Sequence, residues 1–180
     1  IKKNILNNKS NKIIFNEKYS YSVNENGFIY YEDEFGSLKL PQPNVLGGFQ
    51  IENISTAIAT IRSLNLEVND ENIKKGITEI QSIARLQEIK KGKLKDLCKN
   101  NKIYIDGSHN PLGAKVLNEY LKNLNCKKHI ILGMMANKDH EKYISYFKNI
   151  SSLTTVDIPN QTNAIKGIDL KNKFPKAQFR

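Results

Sequence analysis

Short apolar runs separated by turn residues occupy the amino-terminal part of the chain. From about residue 13 to residue 40, the runs KIIF, YSYSVN, FIYYED and SLKL are rich in Ile, Tyr and Phe, and the turn sequences NENG and EFG divide them. Runs of this length with turn residues between them are typical of β-hairpins. The pattern predicts a small antiparallel sheet, and tyrosines such as Tyr30 and Tyr31 are expected to pack on it.

The apolar spacing becomes helical after a break rich in Pro and Gly, PQPNVLGGF. The segment QIENISTAIATIRSLNL predicts an amphipathic helix, because its apolar residues recur three and four positions apart. The predicted face consists of Ile51, Ile54, Ala57, Ile58, Ile61 and Leu64. A second helix is predicted in NDENIKKGITEIQ, where Asn69 or Asp70 can cap the first turn. Its apolar face comprises Ile73, Ile77 and Ile80.

Apolar strands and helices alternate from about residue 84 onward. The segments are RLQEIK, KIYID, PLGAKVLNEYLKNL, KHIILGMM, HEKYISYFKNI and LTTVDIP. Strand and helix in alternation, with nearly continuous apolar strands, is the pattern of a parallel sheet covered by helices. The sequence therefore predicts two regions, residues 1–83 and residues 84–180, of which the second is a doubly wound α/β unit.

The stretch KIYIDGSHNPLGAKVLNEYL places a strand, a polar loop and a helix in direct succession. Ile103 and Ile105 are expected to form the end of a buried strand. Asn110 can cap the following helix, and Pro111 has the backbone angle that a first helical turn requires.

Asp106 and His109 therefore fall on a loop after a strand, which is where open α/β sheets bind ligands. Gly107 allows the backbone to turn tightly there. A carboxylate can accept hydrogen bonds from a ribose or an amine, and a histidine can donate to an anion or orient a carboxylate. The same residue types are also ordinary turn residues, and a lone loop histidine is usually just solvated. From chemistry alone the two interpretations are about equally favoured.

The segment IDGSHNP resembles the Asp-Gly-Ala-His-Asn-Pro motif of folylpolyglutamate and dihydrofolate synthases, which are members of the Mur ligase superfamily. Ser108 stands in the place of the Ala. Three more segments resemble landmarks of that family in the same order. LGGFQIENISTAIATI keeps Gln50 and Asn53, and IARLQEI keeps Arg85 with the Leu and Gln that follow it. The last, ILGMMANKDHEKYI, is similar to a strand, Gly and Lys-Asp stretch of the family.

The resemblance implies an ATP-dependent amide ligase. Such an enzyme adds L-glutamate to dihydropteroate, to reduced folates or to both, through an acyl phosphate. The implied fold class is α/β. Residues 1–83 would be the tail of a Mur-type ATPase domain, made of a small antiparallel sheet plus helices. Residues 84–180 would be a truncated, Rossmann-like and mostly parallel α/β glutamate-ligase domain.

The resemblance also implies roles for individual residues. Asn53, Arg85 and Asp106 fall on positions that contact ATP in the family, and their amide, guanidinium and carboxylate groups suit a nucleotide. His109 is the catalytic candidate, as a group that holds glutamate or the nucleotide. Lys138 and Asp139 match a family landmark, but an acid near a helix start more simply indicates stabilisation of that helix.

The chain lacks the phosphate-loop sequence GxxxxGK[ST], so the resemblance places that loop and the Mg²⁺ ligands outside this segment. We therefore expect a fragment that is inactive alone. Three positions depart from the family pattern. Gly48 and Phe49 replace an Arg and a His, and Ala84 replaces the Gly that precedes Arg85 in the family pattern. The loss of that Gly is expected to stiffen the linker between domains.

The net charge of +10 comes from 28 Lys and Arg against 18 Asp and Glu. Because the lysines are scattered, with only EIKKGKLKDLCKNNK locally dense, nucleic-acid binding is not expected. No run of about 18 apolar residues occurs, so no membrane span is expected. Cys98 and Cys126 have no zinc-site spacing and fit a reduced, cytoplasmic protein. A monomer is expected from the family resemblance.

Other functions stay open. A peptidoglycan-building Mur ligase shares the chemistry but more often carries Asp-Tyr-Ala-His, so Gly107 and the Arg-Leu-Gln segment favour the folate branch. From a different class, the chain could be a noncatalytic remnant that binds a nucleotide or a partner protein. A basic RNA-binding module is the third alternative, for which binding should weaken steeply with salt.

Overall fold

The computed structural model describes residues 13–64, 66–174 and 177–179. The chain forms two compact units, of which the first ends at Ile83 and the second begins at Ala84. None of the helices in the described ranges has the length and apolar character that a membrane-crossing segment requires.

An antiparallel sheet of three strands opens the first unit. The strands β1 (Tyr19–Val23), β2 (Ile29–Asp33) and β3 (Gly36–Leu40) pair in that order, with Tyr31 of β2 opposite Tyr21 on one side and opposite Leu38 on the other. The predicted hairpin sheet is confirmed.

The two faces of this sheet differ in burial, as the period of two requires. Its inner face carries the fully or almost fully buried side chains Ile29, Tyr31, Leu38 and Leu40. Tyr30 lies on the opposite face and is 42% exposed, with the Lys39 ammonium 6.0 Å from its ring centroid. Tyr31 therefore packs in the core and Tyr30 lies on the outer face of the sheet, because neighbouring residues of a strand point to opposite faces.

Both predicted helices of the first unit are present, as α1 (Phe49–Ser63) and α2 (Asp70–Glu79). The buried face of α1 differs from the prediction and consists of Gln50, Ile54, Ser55, Ile58 and Ala59. Ala57 and Leu64 are exposed, the latter because the helix ends before it. In α2, Asn69 caps the helix as predicted, and Ile73 and Ile77 are buried. Ile80, predicted on the same face, follows the end of the helix and is partly buried.

A buried polar cluster joins the sheet to α1. The Tyr31 hydroxyl donates to Asp33 Oδ2 at 2.9 Å, and Arg62 Nε lies 3.0 Å from the same oxygen in an ion pair that lacks hydrogen-bond alignment. The side chains of Asp33 and Arg62 are only 5% and 13% exposed. Burial raises the pKa of Tyr31, and the hydrogen bond and charge of Asp33 raise it further.

The second unit combines short helices with two small sheets. Its elements are β4 (Gln87–Glu88), α3 (Lys93–Cys98), β5 (Tyr104–Ile105), α4 (Pro111–Lys122), β6 (His129–Leu132), α5 (His140–Ile144), β7 (Ser152–Thr155), α6 (Gly167–Asn172) and β8 (Gln178–Phe179).

The larger sheet is parallel, in the order β6, β7, β8, so the predicted α/β class is confirmed. One face packs into a core that includes Leu132, Leu153 and Leu170. The other face is open at Ile131, which is 74% exposed. A doubly wound sheet is covered on both faces, whereas within the described ranges this sheet is covered on one face only.

The smaller sheet departs from the prediction. β4 and β5 pair antiparallel, with Gln87 opposite Ile105. The connection between them contains the short helix α3. Ile105, expected in a buried strand, is 42% exposed, because β4 is the one strand that pairs with β5 among the described residues.

Candidate functional site

Two short segments of the second unit lie side by side. We name residues 84–87 the linker turn and residues 106–109 the motif loop. Strands β4 and β5 begin this pairing, and the backbone N–H of Ile89 donates to the carbonyl of Ile103 at 2.8 Å. Two-residue strands contribute few ladder bonds, so the position of both segments depends on the contacts beyond the ladder.

Backbone donors of both segments provide those contacts. Asp106 Oδ2 accepts from the N–H of Leu86 at 2.7 Å, and Oδ1 accepts from the N–H of Ser108 at 2.8 Å. The N–H of Gly107 donates to the carbonyl of Ala84 at 2.7 Å. The half-buried carboxylate thus joins the two sequence motifs into one hydrogen-bonded structure.

The linker turn has an unusual backbone. Ala84 and Leu86 have φ of +53° and +51°, a left-handed conformation that costs a residue other than glycine about 1 kcal/mol. The N–H of Ala84 donates to the side-chain oxygen of Gln87 at 3.0 Å. The family Gly at position 84 has a physical explanation, since glycine adopts this conformation freely. In this chain the alanine adopts it nonetheless.

Arg85 stands between the two left-handed residues. Its side chain is exposed, whereas Leu86 beside it is 1% exposed. Its guanidinium forms no ion pair or hydrogen bond with the described residues. The turn therefore buries the leucine and leaves a free cation at the surface.

The motif loop fixes the tautomer of its histidine. His109 is exposed, and its Nδ1 lies 3.0 Å from the carbonyl oxygen of Gly107. Because a carbonyl can only accept, Nδ1 carries the proton, and the neutral ring presents Nε2 as an acceptor. The loop then enters α4 as predicted, with Asn110 Oδ1 accepting from the N–H of Gly113 at 2.8 Å and Pro111 in the first turn.

Ser108 forms a contact that the sequence did not predict. Its hydroxyl lies 3.0 Å from the hydroxyl of Tyr143, which is 4% exposed on α5. Burial raises the pKa of Tyr143, the hydrogen bond with Ser108 opposes the rise, and the charge of Asp106 adds to it. The one available signal was Ser in place of the family Ala, but nothing in the sequence identified its partner.

Asn53 belongs to the first unit, on α1. Its Nδ2 donates to Gln50 Oε1 at 3.1 Å, and Gln50 Nε2 donates to the Ser82 hydroxyl at 3.1 Å. Gln50 is 8% exposed, whereas Asn53 is exposed. The buried glutamine thus orients the asparagine amide and leaves its Oδ1 without a hydrogen bond to any residue that the structure describes.

Asp139 has the structural role that its position indicated. It is the N-cap of α5, and its Oδ1 accepts from the N–H of Lys142 at 3.1 Å. The adjacent His140 is 6% exposed, with Nε2 2.9 Å from the carbonyl of Met135. Both side chains are therefore occupied in holding the start of this helix. No function follows for Lys138.

The structure thus brings Arg85, Asp106 and His109 onto two joined segments of the second unit, and places Asn53 on a helix of the first. Among the described residues, no group of three or more His, Cys, Asp or Glu could hold a metal ion.

The described residues define an α/β fold of two units. An antiparallel-sheet unit precedes an α/β unit, in which an Asp-Gly-Ser-His-Asn-Pro loop leads into a capped helix. The Escherichia coli protein described as FolC in complex with DHPP and ADP has this fold, with a TM-score of 0.77 and 21% sequence identity. The match covers 92% of this chain and 38% of that one.

The sequence relatives are folylpolyglutamate and dihydrofolate synthases, which confirms the resemblance. The chain is 27% identical over 136 residues to the Escherichia coli dihydrofolate synthase/folylpolyglutamate synthase, covering 74% of this chain and 29% of the relative. It is 30% identical over 115 residues to the Lacticaseibacillus casei folylpolyglutamate synthase, covering 61% and 25%. The chain therefore spans less than a third of the length of these relatives. No protein-family model matches it.

Proposed function

We propose that this chain forms part of an ATP-dependent carboxylate-amine ligase that adds L-glutamate to dihydropteroate, to reduced folates or to both. Residues 1–83 are proposed as the carboxyl-terminal part of its central ATPase domain, and residues 84–180 as an incomplete glutamate-ligase domain. The observation that carries the proposal is the hydrogen-bonded pair of motifs. It holds Arg85, which has no partner among the described residues, on the turn joined to the Asp-Gly-Ser-His loop.

The relatives support this choice of reaction. Both carry folylpolyglutamate synthase in their names, and the similar Escherichia coli structure contains DHPP and ADP. In the proposed reaction ATP transfers its γ-phosphoryl group to the substrate carboxylate, which releases ADP and forms an acyl phosphate. The amine of glutamate then attacks the acyl carbon, so that the amide bond forms and inorganic phosphate and a proton leave.

The donor set of this chain fits a nucleotide. Arg85 offers a free guanidinium fork, which matches the spacing of phosphate oxygens. Asn53 offers an oriented amide whose Oδ1 can accept from a base or ribose. Asp106 is proposed with them because its position matches an ATP-contacting position of the family.

His109 is proposed to hold glutamate or the nucleotide. With Nδ1 bonded to the Gly107 carbonyl, Nε2 is the ring nitrogen left to bind a ligand. A neutral ring would accept there from the glutamate ammonium, and a protonated ring would donate to a carboxylate or phosphate oxygen. The described residues offer no cluster that fits Mg²⁺, so we assign none of them to the metal.

The setting of the enzyme is also a proposal. We infer a cytoplasmic protein, because both cysteines are free thiols. From the family resemblance we also propose a monomer that acts on small molecules. A nucleic-acid partner is not proposed.

Nucleotide turnover tests the function. The complete gene product is supplied with ATP, Mg²⁺ and L-glutamate, and ADP release is followed with dihydropteroate, tetrahydrofolate or a UDP-muramoyl peptide. We expect glutamate-dependent release with at least one pterin. Arg85→Ala should lower kcat/KM about 100-fold, the scale of losing one charge-stabilising donor. Lys91→Ala removes an exposed cation of the same unit and should leave kcat/KM unchanged. ADP release only with the muramoyl peptide, or no release with any of the three acceptors, would contradict the proposal.

A further inference from the structure

We infer that Tyr143 is a positioning residue for the motif loop: its buried hydroxyl holds Ser108, and Ser108 fixes the backbone from which His109 presents its ring. The effect of Tyr143 on binding rests on the proposed function, in which His109 holds glutamate or the nucleotide. Asp139 thereby gains an indirect role, because it caps the helix that carries Tyr143.

Tyr143 is held in place by its own surroundings. It lies on α5 and is 4% exposed, and its ring centroid is 5.5 Å from that of Phe147 in the core of the second unit. The start of α5 is fixed by the Asp139 cap and by His140, whose Nε2 lies 2.9 Å from the carbonyl of Met135. A tyrosine side chain has two rotatable bonds, so burial of the ring also fixes the hydroxyl. The hydroxyl is therefore a rigid anchor for its partner.

Ser108 is the residue that this anchor holds. Its side-chain oxygen lies 3.0 Å from the Tyr143 hydroxyl, and its backbone N–H donates to Asp106 Oδ1 at 2.8 Å. It also packs on the first turn of α4, where a Cβ added to Gly113 would lie 2.7 Å from the Ser108 Cβ. Helices α4 and α5 pack against each other, so Ser108 is fixed by both. The Ala of the family motif could not bond to a tyrosine, so this anchor goes beyond what the resemblance implies.

His109 follows Ser108 directly and is exposed. Its ring is held by the contact of Nδ1 with the Gly107 carbonyl, at 3.0 Å. Gly107 and His109 lie on either side of Ser108, so this contact depends on the backbone conformation at Ser108. If the bond to Tyr143 is lost, the loop can sample other conformations and Nε2 no longer has one position. Binding should then weaken while the imidazole keeps its chemistry.

Steady-state kinetics of the complete gene product test the inference. KM values for L-glutamate and ATP are measured, with the pterin that supports turnover, for wild type, Tyr143→Phe, Ser108→Ala and the double variant. We expect each variant to raise one of the two KM values about 5-fold, the scale of one lost hydrogen bond, and to change kcat less than about 2-fold. The double variant should equal the single variants, because all three lack the same bond.

Thermal unfolding separates this role from a purely structural one. The double variant leaves no hydroxyl of this pair unpaired, so it should unfold close to the wild-type temperature, yet its raised KM should remain. A double variant with wild-type KM values, or one whose KM rises about 25-fold because the two hydroxyls act independently, would overturn the inference. Tyr146→Phe is the control and should keep wild-type KM values, because the Tyr146 hydroxyl has no hydrogen bond among the described residues.

The tautomer of His109 gives a readout that needs no substrate. In wild type at about pH 9, where an exposed imidazole is neutral, ¹⁵N NMR should show the proton on Nδ1. Tyr143→Phe and the double variant should contain a substantial share of the Nε2-protonated form, whereas Tyr146→Phe should match wild type. Unchanged tautomers in both variants, or the Nε2-protonated form in wild type, would overturn the inference. If no pterin supports turnover, the proposed function fails, and the tautomer still decides the positioning role.

Discussion

The two units hold their candidate residues in different ways. In the first, Asn53 lies on a helix of 15 residues and is oriented by another side chain, Gln50, which is itself bonded to Ser82. In the second, Asp106 and His109 lie on a loop and are bonded to backbone groups. A helix keeps its shape when one such side chain changes, whereas a loop held by side chain to backbone bonds does not. The same substitution chemistry should therefore have different effects in the two units.

The largest effect is expected where the first unit buries charge. Asp33→Ala removes the acceptor of the Tyr31 hydroxyl and leaves Arg62 largely buried without its closest acid. Breaking a buried pair from one side costs about 3 kcal/mol. The urea midpoint of the first unit, followed by exchange of β2 amides, measures the loss. Glu32→Ala changes an exposed neighbour and should shift it little. A loss below about 1 kcal/mol would mean that this cluster contributes little to stability.

The next effect tests the hydroxyl pair of Ser108 and Tyr143 at the motif loop. Ser108→Ala should destabilise the second unit by about 2 kcal/mol, because it leaves the buried Tyr143 hydroxyl unpaired. Adding Tyr143→Phe removes the unpaired group and should recover most of the loss. Thermal unfolding of the single and double variants measures both. If the double variant is no more stable than Ser108→Ala, the hydroxyl pair is not the cause.

A smaller change in stability, of opposite sign, is expected for a substitution on α1. Ser55 is fully buried, and its hydroxyl has no hydrogen-bond partner among the described residues. Ser55→Ala should stabilise the first unit by about 1 kcal/mol, since burying an unpaired hydroxyl is unfavourable. Ser63→Ala on the same helix removes an exposed hydroxyl and serves as the control. Destabilisation by Ser55→Ala would indicate that the hydroxyl has a partner after all.

The smallest effect is a pH dependence in the second unit. Burial, then the hydrogen bond with Tyr104, raises the pKa of Tyr120 to about 12. Because the unfolded chain loses this proton first, Tyr120 should leave stability unchanged below about pH 10 and reduce it as the pH rises toward 12. The urea midpoints of wild type and Tyr120→Phe, compared at about pH 8 and pH 11, measure it. If the urea midpoint changes equally with pH in wild type and Tyr120→Phe, the raised pKa is contradicted.

Local features of this fold could be predicted from sequence, and features made by distant residues could not. The hairpins, the Asn69 cap and the start of α4 at Pro111 follow from neighbouring residues. The antiparallel pairing of β4 with β5 and the Ser108 contact with Tyr143 join residues far apart in the chain. No short pattern encodes such pairings.

The site shows the same division. The motifs identified which residues to consider, including Arg85, Asp106 and His109. They gave no indication that the Asp106 carboxylate is bonded to the backbone of the Arg-Leu-Gln segment, because that bond depends on the folded position of both loops. The left-handed φ of Ala84 could be suspected only from the glycine that the family has there.

Formation of the amide bond tests the central claim most directly. The complete gene product is incubated with ATP, Mg²⁺, ¹⁵N-labelled L-glutamate and either dihydropteroate or tetrahydrofolate, and the products are analysed by mass spectrometry. The account predicts a pterin product that carries one or more labelled glutamyl groups, and much less of it with Arg85→Ala than with Lys91→Ala. A wild-type protein that hydrolyses ATP, or binds it, without labelling either pterin would contradict the claim.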